Sequence, residues 1–408
     1  MSAVRNYAIV TSSYFTFTIT DGAIRMLVLL HFYTLGYTPF MLAFLFLLYE
    51  TAGIFANVGG GWLASRFGIP RMLATGLVLQ IFGLVMLSGL DPTWSAAASV
   101  AWVVVAQGIA GVAKDLTKTA SKSAIKATSD QGSGQLFRWV AWFTGSKNAT
   151  KGVGFFAGGC LLQLVGFRPA LWLMVAVLAL VLLGVMTSLP RQLGKAKASK
   201  SFRELFAKTR AINLMAAARI FLFGSRDVWF VVALPVFLYG FGWKYMEVAG
   251  FVAVWTIAYG AVQALAPAVV TRSHDGLSRE VPAARAWGAV LTLIPAVLAV
   301  LVAAPGIGHA DIILVTGLLV FGFVFAVISS VHSYLILAYA GSEKAAEDVG
   351  FCYAANAAGR LVGILLSGAL TQAGGMPACL WGSAIMLALC LAITFMLPTG
   401  VASRRVPA

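Results

Sequence analysis

The stretch SVAWVVVAQGIAGVAKDLTKTASKSAIK (Ser99–Lys126) decides how the chain reads. Its first part is apolar residue after residue, with glycine interspersed, and shows none of the strict alternation of a half-buried strand. Its second part sets lysines at 114, 118, 122 and 126, a four-residue spacing that places them on one face of a helix. A helix that begins in a long apolar run and continues into lysines is a membrane span emerging at a charged surface.

Apolar runs of this kind recur along the whole chain. Its 408 residues are 60% hydrophobic and only 11% charged, with a mean hydropathy of +0.89, far from the composition of a soluble domain. Twelve spans are predicted, at about 8 to 34, 40 to 65, 71 to 90, 96 to 116, 137 to 164, 170 to 189, 212 to 240, 247 to 270, 284 to 304, 311 to 337, 348 to 372 and 377 to 397. Each is long enough to cross roughly 30 Å of hydrocarbon at about 1.5 Å per helical residue. Continuous apolar runs exclude a barrel, whose strands would alternate. The first span opens at Tyr7 without a basic leader and carries Asp21 and Arg25, so it reads as a retained span and not as a cleaved signal. Cys160, Cys352, Cys379 and Cys390 fall inside spans in no CxxC or CxxH pattern, which supports neither disulfides nor a metal site; no cofactor is expected.

A net charge of +15 raises the question of nucleic acid, but the basic residues obey a membrane rule instead. Lys and Arg crowd alternate loops, with Arg66 and Arg71, Lys122 and Lys126, seven between Arg191 and Arg210, then Arg272, Arg279 and Arg285, Lys344, and Arg404 and Arg405; the opposite loops hold only Arg168 and Lys244. That asymmetry predicts a multi-pass protein of the cell membrane with both termini and the central loop in the cytoplasm.

The segment LGKAKASKSFRELFAKTR (Leu193–Arg210) is the one long polar stretch, and it divides the spans six and six: a first bundle over 1–190, a linker over 191–210 and a second bundle over 211–408. The halves align weakly with each other. A shift of 206 sets Asp21 on Asp227, Gly36 on Gly242, Tyr37 on Trp243 and Arg66 on Arg272, and a shift of 208 sets Phe143 on Phe351, Asn148 on Asn356 and Pro169 on Pro377. The chain thus resembles the major facilitator superfamily over nearly its whole length. That resemblance implies an all-α polytopic membrane protein, with twelve transmembrane helices in two pseudo-symmetric six-helix halves. The loop GGGWLASRFGIPR after span two is similar to the superfamily's cytoplasmic loop motif at Gly61, Arg66, Gly68 and Arg71, with Ser65 where that family usually has aspartate.

Ionisable residues at membrane depth cost roughly 2.5 to 3.5 kcal/mol each on insertion scales and are functional candidates by default. Here they are Asp21 and Arg25 in span one, Glu50 in span two, Lys114, Asp115 and Lys118 in span four, Arg138, Lys147 and Lys151 in span five, Arg219, Arg226 and Asp227 in span seven, and Asp348 and Arg360 in span eleven. Lys114 with Lys118, Lys147 with Lys151, and Asp21 with Arg25 each share a helical face. The cations outnumber the acids, which leaves positive charge for an anionic cargo such as a phosphate ester. A purely hydrophobic drug would leave those cations buried and unpaired. Arg25, Lys118, Lys147, Lys151 and Arg226 are the candidate anion contacts, with Asn148 as a hydrogen-bond donor. For the acids two readings stand: structural pairs (Asp21 with Arg25, Asp227 with Arg219 or Arg25), or a coupling or gating proton site at Asp21, Glu50 or Asp227. His332 reads as a hydrogen-bonded packing residue.

Three stretches, TDGAIRMLVLLHFYTLGY (Thr20–Tyr37), GIAGVAKDLTKTASKSAIK (Gly108–Lys126) and TGSKNATKGVGFFAGG (Thr144–Gly159), resemble the ArsJ-type organoarsenical efflux permeases. The resemblance implies export of 1-arseno-3-phosphoglycerate and arsenate resistance, with a glyceraldehyde-3-phosphate dehydrogenase as functional partner supplying the cargo. An exchanger of ordinary organophosphates is the alternative. A receptor would need a domain larger than the central loop, and an enzyme would need a nucleophile, metal cluster or phosphate loop; none is evident in the sequence.

Overall fold

In hydrocarbon a chain this apolar must satisfy its backbone hydrogen bonds within each segment, which selects helices. The computed structural model describes residues 2–56, 68–128, 135–190, 209–269, 277–305, 308–340 and 345–399, and among them regular structure is all helical. In chain order the helices are α1 (Ser2–Thr34), α2 (Pro39–Ala56), α3 (Ile69–Ser88), α4 (Ala96–Thr128), α5 (Gln135–Leu164), α6 (Phe167–Ser188), α7 (Arg210–Gly240), α8 (Tyr245–Val269), α9 (Glu280–Ala303) and α10 (Ala310–Tyr339). The run Ala345–Phe395 is interrupted by non-helical backbone at Gly374 and Gly375, which separates α11 (345–373) from α12 (376–395).

Several boundaries depart from expectation. α4 continues to Thr128, well past the expected end near 116, because the lysine-bearing segment keeps the helical period. α2 is broken at Leu45–Phe46 and α7 at Val231–Val232, where turns interrupt the helical pattern. Gly61, Arg66 and the end of span two lie outside the described residues, as do the side chains of Lys122, Lys126 and Arg138. Of the loop motif Gly68 remains, capping α3 at φ 80°, with exposed Arg71 one turn on.

Among the described residues, ten helical segments, counting α11–α12 as one, are long and apolar enough to cross a membrane. α5 spans 30 residues, carries Lys147 and Lys151 near its middle, and packs along α1 and α8. Large apolar side chains such as Leu180, Leu183 and Met186 on α6 and Leu293, Val297 and Val300 on α9 stay exposed, an outer surface suited to lipid.

The packing repeats itself along the chain. α1 packs on α4, α5 and α6, and α7 packs on α10 and α11–α12. The α1–α5 contact is backbone to backbone: a Cβ at Gly154 would sit 2.5 Å from the Ile19 carbonyl oxygen, and one at Gly158 would collide with Ala23. α11 approaches α7 in the same manner, with Gly363 against Gly224 at 2.5 Å and Gly359 against Ile220. The loops after α1 and α7 match atom for atom. Gly36 (φ 85°) donates to Tyr33 and Tyr37 to Phe32, while Gly242 (φ 95°) donates to Tyr239 and Trp243 to Leu238.

Two extended contacts join α1–α6 to α7–α12, α5 along α8 and α2 along α11, with a smaller one between α1 and the end of α7. Near the Gly36 and Gly242 loops, the end distal to the termini, the seam is tight. A Cβ at Gly368 would lie 2.7 Å from the Pro39 carbonyl oxygen, and the Tyr33 and Tyr239 rings meet edge to face at 5.7 Å. No comparable packing joins α4 to α10 or α11 among the described residues.

Candidate functional site

The charges gather around Glu50, which is 1% exposed on α2. Its Oε1 accepts from Arg25 Nη2 of α1 at 3.1 Å and its Oε2 from Arg360 Nε of α11 at 3.1 Å, so one carboxylate ties three helices. The preceding residue, Tyr49, donates its hydroxyl to the Asp21 carboxylate at 2.7 and 2.8 Å from the two oxygens. Its ring carries the Lys114 ammonium 3.8 Å from the centroid and the Arg25 guanidinium at 5.5 Å. Lys151, on α5, lies 5.4 Å from the Phe155 ring centre and feels the charges of Arg25, Asp21, Arg360 and Glu50. One turn beyond Tyr49, the missing side chain of Gly53 leaves space that Asp115 Oδ2, Lys114 Nζ and Arg360 Nη2 approach within 3.3, 3.8 and 3.8 Å of a built Cβ.

Charge accounting follows from these contacts. Lys118 pairs with Asp115 at 3.4 Å and Arg226 with Asp227 at 2.6 Å. Around Glu50 the cations Arg25, Lys114, Lys151 and Arg360 then face the acids Glu50 and Asp21, an excess of two positive charges among the described residues. The arginines are only partly covered, Arg25 at 12% and Arg360 at 27% side-chain exposure, while Glu50 is sealed behind them. Buried beneath two guanidiniums, the carboxylate fixes both while their remaining N–H groups stay available.

The other expected residues are more dispersed. Arg226 sits among the rings of Phe223, Phe230 and Phe325, 5.6 to 5.9 Å from each. Asn148 donates to Gln263 Oε1 of α8 at 3.2 Å, and Gln263 Nε2 bonds Tyr259 and Ser329, so Asn148 belongs to a neutral polar strip on the α5–α8 seam. Lys147 is half-buried one turn before Lys151.

Two expected pairings and one expected hydrogen bond are corrected. Asp21 and Arg25 share a face but do not pair, because each finds a stronger partner on α2, in Tyr49 and Glu50. Asp227 takes the adjacent Arg226 and neither Arg219 nor Arg25. His332 has no hydrogen bond at either ring nitrogen, although it is fully buried. The sequence reading passed over Tyr49 and left Arg360 out of the site; an ionisable residue in span eleven was the available signal for Arg360, and nothing in the spacing marked Tyr49.

The Major Facilitator Superfamily profile matches residues 10–347. No curated protein matches the chain by sequence. Among solved structures, the nucleoside transporter NupG is similar with a TM-score of 0.73 at 14% identity, over 97% of this chain and 99% of that one. The human organic anion transporter MFSD10 (TETRAN) is similar with a TM-score of 0.63 at 17% identity, over 96% of this chain and 99% of that one. At these identities the likeness is one of fold.

Proposed function

Because the chain belongs to the Major Facilitator Superfamily, we propose that it moves a multiply charged organic anion across the cell membrane by alternating access, and that this anion is 1-arseno-3-phosphoglycerate. The observation that carries the reading is the excess of two positive charges around Glu50, built from α1, α4, α5 and α11. A phosphate or arsenate group bearing about 1.5 to 2 negative charges at neutral pH neutralises that excess and suits arginine forks and lysine point charges. The resemblance of the α1, α4 and α5 stretches to organoarsenical permeases narrows the cargo, and a glyceraldehyde-3-phosphate dehydrogenase accepting arsenate would supply it. The structural relatives named for nucleosides and organic anions agree with small organic cargo.

In this reading residues 1–190 and 211–408 are the two moving halves, joined by the 191–210 linker in the cytoplasm with both termini. Arg25, Lys151 and Arg360 hold the anion, Lys118, Lys147 and Arg226 line its path, Asn148 donates a hydrogen bond, and Asp21, Glu50 or Asp227 couples or gates. Outward movement of the anion is driven by an interior-negative potential worth about 2.3 kcal/mol per charge per 100 mV.

The test is arsenate resistance and cellular arsenic content in a sensitive host that expresses the dehydrogenase with the wild-type permease or with Lys151→Ala or Arg360→Ala. Resistance that needs both proteins, and that either substitution abolishes while membrane expression persists, is the expected result. If wild type reaches the membrane and gives no resistance, the second reading takes over: an exchanger of ordinary phosphate esters, which the same charge excess favours.

A further inference from the structure

Away from the Glu50 centre, Arg219 of α7 is 1% exposed, as deep as any arginine in the described residues. Its Nε donates to Asn356 Oδ1 of α11 at 2.7 Å and its Nη1 to Ser333 Oγ of α10 at 3.3 Å. Ser333 donates its own proton to the Ser329 carbonyl, so the serine's one donor is already used. Both partners of the guanidinium are neutral, and no carboxylate pairs with it among the described residues. The guanidinium also lies 5.0 Å from the Phe223 ring centre and 5.7 Å from that of Tyr353, with Cys352, Tyr259 and Cys390 near it, none of them a counter-ion. A buried cation without a counter-charge is a costly state that folded proteins avoid.

A second, independent irregularity lies next to it. His332, beside Ser333 on α10, is 0% exposed, and neither Nδ1 nor Nε2 has a hydrogen-bond partner. The charge of Arg219 acts directly on this imidazole. Buried polar groups are almost always satisfied, and a neutral imidazole always carries one N–H to give. An uncompensated positive charge bonded to Ser333 and an unused donor on the preceding residue of α10 call for one missing acceptor of negative charge.

We propose that Arg219 and His332 hold a compact monoanion, a halide, at the junction of α7, α10 and α11. A single net positive charge selects a single negative one. The near-complete enclosure of both side chains selects an ion close to water in size over an ester or an oxyanion with several atoms. The site belongs to α7–α12 alone and is separate from the Glu50 centre, although Asn356 lies one helical turn from Arg360 on α11. Occupancy would pin three helices of one bundle to each other, which makes the ion part of the structure and not cargo. The inference stands whatever the permease carries.

The experiment compares the melting temperature of the purified full-length protein in chloride and in gluconate at equal ionic strength. Wild type is expected to melt several degrees higher in chloride, saturably. Arg219→Gln and His332→Leu should each lose that difference, while Lys151→Ala should keep it. In parallel, bromide-soaked crystals of wild type should show an anomalous peak between the guanidinium and the imidazole. Equal melting in the two salts with no bromide peak would overturn the proposal, and so would a chloride shift that survives in His332→Leu. The bromide arm uses wild type alone, so the result does not depend on whether Arg219→Gln folds.

Discussion

Glu50 does two things that ordinarily oppose each other: it stabilises Arg25 and Arg360, and it subtracts from the charge available to a cargo. Removing it separates the two. Glu50→Gln should lower thermal stability in the absence of ligand by about 3 kcal/mol, the low end for breaking a buried pair, since two part-buried guanidiniums lose their shared counter-charge. It should also tighten binding of a phosphate ester, because the local excess rises by one charge; melting curves with and without the ester read both effects. Tyr49→Phe leaves the Asp21 carboxylate without its hydroxyl donor and should cost about 1.5 to 3 kcal/mol in an unfolding measurement. Four-residue spacing made Asp21 and Arg25 look like partners. What decided otherwise were Tyr49 and Glu50, 28 and 25 positions away, and a contact of that range leaves no periodic trace in the sequence. The ionisable residues were legible as a set, because charge in an apolar run is conspicuous, but their pairing was not.

The helices themselves were the most legible level, since a continuous apolar run of membrane length has few alternatives. Their interruptions were not: the breaks at Leu45–Phe46 and Val231–Val232 fall in sequence as apolar as the helix around them. The glycines that let α1 meet α5 and α7 meet α11 carry a sharp expectation. Gly154→Val places methyl groups against the Ile19 backbone and should destabilise the protein by about 1 to 3 kcal/mol, measured by unfolding in detergent. Gly250→Ala on α8 is the control, because the nearest atoms there, of the Phe156 ring, stand at 3.8 and 3.9 Å from a built Cβ. If both variants unfold alike, the close approach of α1 and α5 is not what holds them.

At the scale of the molecule, the seam between α2 and α11 is closed at the distal end by contacts that admit no extra atoms. Gly368→Leu should wedge that end apart and shift the population towards the form open there. A cysteine placed at Phe40 should then react faster with a membrane-impermeant thiol reagent than the same cysteine in the wild-type background. Such a seam could not be read from one sequence, because the packing of α2 on α11 joins segments more than 300 residues apart. The polarity of α5 bears also on how the protein is made. Lys147 and Lys151 near the middle of a helix each oppose insertion by roughly 2.5 to 3.5 kcal/mol, and the glycines of the same helix add little in return. A nascent α5 emerging alone from the translocon is therefore a poor membrane segment. Its retention in the bilayer waits on α1, already inserted, whose Ile19–Ala23 backbone receives Gly154 and Gly158 of α5, which makes the birth of this helix and its tertiary assembly a single event.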